Sequence, residues 1–356
     1  MKKQSLPIKV KQLKKMYENR TLHFDNPIQR RSDQWGVYRS SILINSILND
    51  VIIPPIYLIK EDMGSVDAKG RKISDYSVID GQQRLTETFA FIDGKYKLHK
   101  LTPPVDVDGE NIEIAGKYFF ELDEDLQQDI ENFVFTTYNL EGNSDEDIEE
   151  FFLRINGGIA LSKNQNTKAR VGVKMMRYFK PFLEKHFFHD ACNFSGAQYR
   201  TEVDFCTMLQ CIMLIDASEN DFNLTSLSES DTNSYGARIH DGLEENVKEQ
   251  FEKVMSYLGN AFSDFEKLSW LRKTHIPIVF MTAKHAMEQN ISTKDFAKWY
   301  IEFSENYYSP DCEYAQYCGA GSVKKQKVLG RIEVMQRHFD EYFNIGNGET
   351  EENECE

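Results

Sequence analysis

"YSVIDGQQRLTETFAF", Tyr76–Phe91, begins with the alternation of a strand and ends with the spacing of a helix. Asp80, Gly81, Gln82 and Gln83 stand at the join, and Arg84 follows at once. A strand that stops at a glycine turn and opens a helix leaves free backbone N–H groups at the helix start. Those donors and the helix dipole favour an anion. Gly81 permits an unusual backbone angle and close approach. Arg84 offers a planar, permanently charged fork suited to phosphate. Gln82 and Gln83 can donate and accept in the same space. Asp80 is the odd member, because an acid beside a phosphate repels it unless it caps the helix, holds a metal or orients Arg84. The residues spell a phosphate-binding turn, against the plainer alternative of a capped helix with an exposed arginine.

Outward from this turn the first half reads as mixed α and β. "TLHF" is a short strand candidate, "PPIYLIKE" a strand, and "MGSVDAKGRK" a polar hairpin or loop. "WGVYRSSILINSILND" has helical periodicity with Tyr38, Ile42, Ile44, Ile47 and Leu48 on its apolar side. "KYFFEL" and "FVFTTYNL" read as strands on either side of an acidic helix, "DEDLQQDIE". "SDEDIEEFFLRING" starts with Ser144 as N-cap and acids in the first turn, and Gly157 and Gly158 end it. From about Val171 the strand signals thin out and helical periodicity continues, as in "EVDFCTMLQCIMLI" and "VKKQKVLGRIEVMQRHFDEYF". The final "GNGETEENECE" is acidic and poor in apolar residues, so a frayed tail is expected. The expected class is α+β, with a mixed N-terminal domain over 1–171, an all-α domain over 172–345 and an acidic tail over 346–356.

The chain has 356 residues, 40% hydrophobic and 12% aromatic, which excludes a disordered composition. No apolar run approaches a membrane span. The basic "MKKQSLPIKVKQLKK" has no apolar block behind it, so no secretory signal is read and a cytoplasmic location is expected. Six cysteines occur without a CxxC pair, the pattern of reduced structural thiols. His186 and His189 could share a helix face but lack a third metal ligand nearby. The formal net charge of −15 opposes nonspecific DNA binding, so any nucleic-acid contact needs a local basic face. Arg170, Lys174 and Arg177 form one candidate, and Lys324, Lys327 and Arg331 another, each read first as a solvated helix face.

Two more segments bear on the turn. In "NPIQRRSDQW", Asn26–Trp35, the adjacent Arg30 and Arg31 and then Trp35 suit anion or base contact, or else Trp35 anchors a core with Arg31 solvated. In "FFLRINGGIALS", Phe151–Ser162, Asn156 followed by Gly157 and Gly158 exceeds what a helix stop needs, unless Asn156 merely caps the turn.

In this order the three segments resemble the N-terminal domain of GmrSD-type modification-dependent restriction systems, a family with a ParB/sulfiredoxin-like fold. The carrying residues are Gln29, Arg30 and Trp35, then Asp80, Gly81, Gln82, Gln83, Arg84, Leu85 and Thr86, then Phe152, Arg154, Asn156, Gly158, Leu161 and Ser162. The resemblance covers Leu6 to about Val171. It implies binding and hydrolysis of a nucleoside triphosphate at the DGQQR turn. Arg84 is then expected at the phosphate, Gly81 to give backbone access, and Gln82 or Gln83 to position phosphate or water. Asp80 is expected to handle magnesium or water. Arg30 or Arg31 is expected as a second clamp, and Asn156 and Gly158 are expected at the nucleotide. The alternative is a nucleotide-gated DNA-binding or regulatory subunit without turnover, acting with a separate nuclease. Two departures matter. The helical half carries no His-Asn-His nuclease arrangement, so DNA cutting by this chain alone is not expected. Gln165 stands where the family often places a glutamate.

Overall fold

The strand before the glycine turn and the helix after it lie in the first of two compact units, 1–158 and 159–356. The computed structural model of the chain describes residues 2–26, 35–61, 70, 72–107, 109–141, 144–155, 163–220, 222–306 and 312–345. In the first unit β1 (Lys2–Ser5), β2 (Ile8–Lys9), α1 (Val10–Glu18), β3 (Leu22–His23) and α2 (Val37–Leu48) lead to β4 (Ile56–Glu61). Then come β5 (Asp75–Asp80), α3 (Gln82–Ile92), a small hairpin of β6 (Val105–Val107) and β7 (Glu110–Ile112), and α4 (Glu124–Asn132). β8 (Val134–Phe135), β9 (Thr137–Glu141) and α5 (Asp145–Ile155) complete the unit's described elements.

The five-stranded sheet has the order β1-β9-β4-β5-β3, with β5 antiparallel to β4 and parallel to β3. Period-two alternation splits each strand between two faces. On one face Ile56, Leu58 and Val78 are fully buried and share a core with Val10, Leu13, Ile44, Leu85 and Phe89. On the other, the Tyr57 ring lies over Tyr138 at 5.7 Å and meets Phe151 of α5 edge-on at 5.0 Å. Ser144 caps α5 as expected, accepting from the Asp147 N–H at 3.3 Å. That bond satisfies one of the four orphan donors at the helix start.

Two sequence expectations differ from the structure. "KYFFEL" is no strand, for Phe119–Glu121 form a 3-10 turn. Phe119 turns inward onto Phe91 at 5.9 Å while Phe120, 66% exposed, stacks on Tyr118. The aromatics here fit a pleated surface in propensity, but burial against α3 satisfies Phe119 without any ladder partner. In α2 the buried side is Leu43, Ile44 and Ile47 with Ser40 and Ser41, and Tyr38 is exposed. Two serines can face inward because Ser41 donates to the Val37 carbonyl at 2.7 Å and accepts from the His99 N–H at 2.8 Å. "MGSVDAKGRK", Gly157–Gly158 and the acidic tail over 346–356 lie wholly or almost wholly outside the described residues.

The second unit is helical: α6 (Lys163–Leu183), α7 (Gly196–Arg200), α8 (Val203–Glu219), α9 (Glu229–Arg238), α10 (Glu245–Ala261), α11 (Ile276–Glu288), α12 (Thr293–Asn306), α13 (Glu313–Gln316) and α14 (Lys325–Phe343). It therefore begins before the expected boundary at 171, because α6 starts at Lys163 and only kinks at Gly172, where φ is 84°. α8 is buried on nearly every side, with α6, α9, α10 and α11 around it, which is the position demanded by a sequence whose apolar residues cover every face. At its start Glu202, fully buried and left-handed (φ 60°), pairs with Lys168 of α6 at 3.0 Å. Removing one partner of such a pair leaves an uncompensated buried charge.

Candidate functional site

The turn is built from three local causes. β5 ends at Asp80, Gly81 takes a left-handed conformation (φ 102°, ψ 3°), and α3 starts at Gln82, whose helical hydrogen bonds begin with Leu85 N–H to the Gly81 carbonyl at 3.1 Å. Any Cβ at Gly81 would overlap Ile56 Cδ1, so the glycine serves close packing by β4 as well as its dihedral. A register shift between Tyr57 and Leu58 pairs Tyr57 with Asp80 across the strands, which sets Asp80 beside the Tyr57 ring. Burial pushes the Tyr57 phenol above its ordinary value, Tyr138 and Asp80 push the same way, and Arg84 opposes them.

Arg84 folds back over the turn. Its Nη2 donates to Asp80 Oδ2 at 2.6 Å and to the Pro55 carbonyl at 3.1 Å. Arg84 is 14% exposed and Asp80 33%, so the plain alternative of a solvated arginine does not describe it. Of the three roles open to Asp80, the geometry fills one: it orients Arg84. The Arg84 Nε is buried with no partner, as are both amide atoms of Gln83 and the hydroxyl of Thr86. A buried polar atom without a partner costs about 1–3 kcal/mol. Four such atoms lie within the first five residues of α3.

Asp80, Gly81, Gln82, Gln83 and Arg84 are thus brought together. Tyr57, Ile56, the Pro55 carbonyl and Thr86 join them, and all but Thr86 were missed as site groups because the β-bulge that aligns Tyr57 with Asp80 leaves no trace in sequence. Gln29, Arg30, Arg31, Asn156, Gly158, Leu161 and Ser162 lie outside the described residues. Trp35 packs against the first unit's core, and the Arg39 guanidinium lies 4.3 Å from its ring centre. Gln165 is buried at the start of α6, in the second unit. Among the described residues no group of three or more His, Cys, Asp or Glu side chains converges to hold a metal. His186 and His189 both face Asp190, at 3.1 and 2.7 Å.

The two basic faces fare differently. Arg331 is 2% exposed and donates to the carbonyls of Lys327, Thr274 and Ser322, so the Lys324–Lys327–Arg331 face loses its third cation to the core. Arg170, Lys174 and Arg177 are exposed, but the Gly172 kink interrupts their spacing and Lys174 donates to the Asp241 carbonyl. No helix among the described residues is long and apolar enough to cross a membrane.

No curated protein matches the chain. Residues 11–172 match the family model described as GmrSD restriction endonuclease, N-terminal domain. The matched stretch holds the Asp80–Arg84 turn, Trp35 and Arg154, and it ends at the glycine where α6 kinks. Over these residues the chain is similar to the N-terminal domain of GmrSD restriction endonucleases.

Proposed function

We propose that this chain binds, and hydrolyses, a nucleoside triphosphate as a module of a DNA restriction or defence system. The observation that carries the reading is the set of buried, unpartnered polar atoms on Gln83, Arg84 and Thr86 beside a helix start. Phosphate oxygens would satisfy the Arg84 Nε, the Gln83 amide N–H and the Thr86 hydroxyl together, with the first backbone N–H groups of α3 beside them. The mixed order of the sheet around this turn is in keeping with the ParB/sulfiredoxin-like fold that the family resemblance implies.

Asp80 holds the guanidinium in place before the anion arrives, so little ordering remains to be done on binding. The turn supplies this one carboxylate, so magnesium there would be carried mainly by phosphate oxygens and water, its usual manner beside nucleotides. For hydrolysis, water attacks the terminal phosphorus and the bond to the leaving diphosphate oxygen breaks. Gln82 or Gln83 orients that water and Arg84 offsets the developing charge. The second reading, binding without turnover in a subunit that works with a separate nuclease and DNA, is favoured by one contact. Asp80 Oδ2 is already engaged by Arg84 and is not free to hold the attacking water.

Titration calorimetry of the full chain with the four ribonucleoside triphosphates and magnesium tests both, alongside a phosphate-release assay. Arg84→Ala and Gln83→Leu are expected to weaken binding by about tenfold or more each, since hydrogen bonds to charged groups are lost. Unchanged affinity in both variants sinks the site. Wild-type binding with no phosphate released selects the second reading.

A further inference from the structure

Resting on that reading of the turn, we propose that the cleft beside the open face of Tyr17 is its nucleobase subsite, and that the base it fits is guanine. The Tyr17 ring stacks on Phe24 at 4.7 Å and 20°, and Phe24 lies over Phe89 of α3 at 6.4 Å and 14°. Tyr17 also lies 5.8 Å from Phe89, so the three rings form a cluster anchored in the core at Phe89, 4% exposed, with Tyr17, 46% exposed, at its rim. A cleft of about 420 Å³ opens there, within the range of small-ligand sites, and Arg20, His23 and Asp25 also line it. A base laid against Tyr17 would meet a ring already held in place by Phe24 and Phe89, so little freedom is lost on binding.

The charges give the base its identity. Of the acidic and basic side chains that line the cleft, Glu18 is paired with Lys14, whereas Arg20 and Asp25, both exposed, make no ion pair with each other or with another described residue. Opposite charges held apart suit a flat ligand that shows acceptors on one edge and donors on another. Guanine does this: its O6 and N7 accept from arginine, and its N2 amino group donates to a carboxylate. Adenine and uracil lack the adjacent pair of acceptors, and cytosine, whose O2 and N3 are such a pair, carries its N4 donor on the same edge. Arg20 also sits in the left-handed region at φ 57°, where glycine or asparagine costs less.

The cleft and the phosphate turn belong to one strand–helix unit. His23 pairs with Ser77 of β5, the strand that ends at Asp80. Phe89 lies eight residues beyond Gly81, about 12 Å of helical rise. A sugar and a phosphate chain can bridge that separation.

The test uses the full chain, titrated with GTP, ATP, CTP and inorganic tripolyphosphate. The expected order is GTP tightest, and Tyr17→Ala and Arg20→Ala each weaken GTP by about tenfold while leaving tripolyphosphate unchanged. Both side chains are exposed, so the variants are expected to fold, and Tyr17→Phe is expected to bind GTP as the wild type does. If tripolyphosphate binds as tightly as GTP, or if GTP binding survives both alanine variants, the subsite is wrong while the phosphate turn stands. If neither tripolyphosphate nor any nucleotide binds, both fall.

Discussion

At Gly81 two demands coincide, a left-handed backbone and the room taken by Ile56 Cδ1. Gly81→Ala meets both: about 1–2 kcal/mol from the dihedral and about 1–3 kcal/mol from forcing a buried, well-packed neighbour to shift. Urea unfolding of the first unit is expected to show a loss of about 2–5 kcal/mol. Ile56→Val removes the methyl that the new Cβ would strike, so a double-mutant cycle should return a coupling of about 1 kcal/mol. A coupling of zero would mean that Ile56 is not what the glycine makes room for. The same position shows what a sequence can and cannot say at this scale. Its need for glycine was legible from a strand running into a helix. The partner that occupies its space lies in another strand and was not. The roles of Asp80 were left open for the same reason. The choice among cap, metal ligand and orienter depends on which way Arg84 turns, and the Pro55 carbonyl that helps to turn it sits on a distant stretch of chain.

Elements were legible where one signal sufficed. β4, β5, α4 and α5 follow from alternation, caps and acidic first turns. Errors came where a partner decided the matter, as in the inward turn of Phe119 and the buried serines of α2. The helical unit hides a further case at the start of α11. His275 lies flat on Trp270 at 4.6 Å, its Nδ1 is 3.0 Å from the Tyr314 hydroxyl, and burial lowers its pKa to about 4, with the charges of Arg331 and Arg272 acting in the same direction. The folded chain thus refuses a proton that the unfolded chain accepts near the ordinary histidine value of about 6.5. This contribution to stability is complete above that value and is lost as pH falls towards 4. The loss is at most about 3 kcal/mol. His275→Gln is expected to remove this slope, so the stability difference between wild type and variant should shrink from pH 7 to pH 4. A constant difference across that range would show that His275 titrates normally in the folded chain.

For the whole molecule, each unit closes its own core. One is built on the faces of β4, β5 and α3, the other around α8, and the two share no residue. Units of this kind open by separate sub-global steps, so a ligand slows exchange most where its contacts lie. Saturating triphosphate is therefore expected to slow amide exchange in β5 and α3, by about 100-fold when free ligand stands at 100 times its dissociation constant. Peptides from α8 should exchange as before. Arg84→Ala should abolish the effect at the same ligand concentration without altering exchange in α8. Acidification should act in the opposite sense, lowering protection around α11 relative to the intrinsic exchange rate at each pH through His275, and leaving protection of β5 and α3 unchanged. Equal protection of α8 and α3 by the nucleotide would overturn the assignment of binding to the glycine turn, whatever the affinity. Protection of α3 that persists in Arg84→Ala would place the anion on another cation.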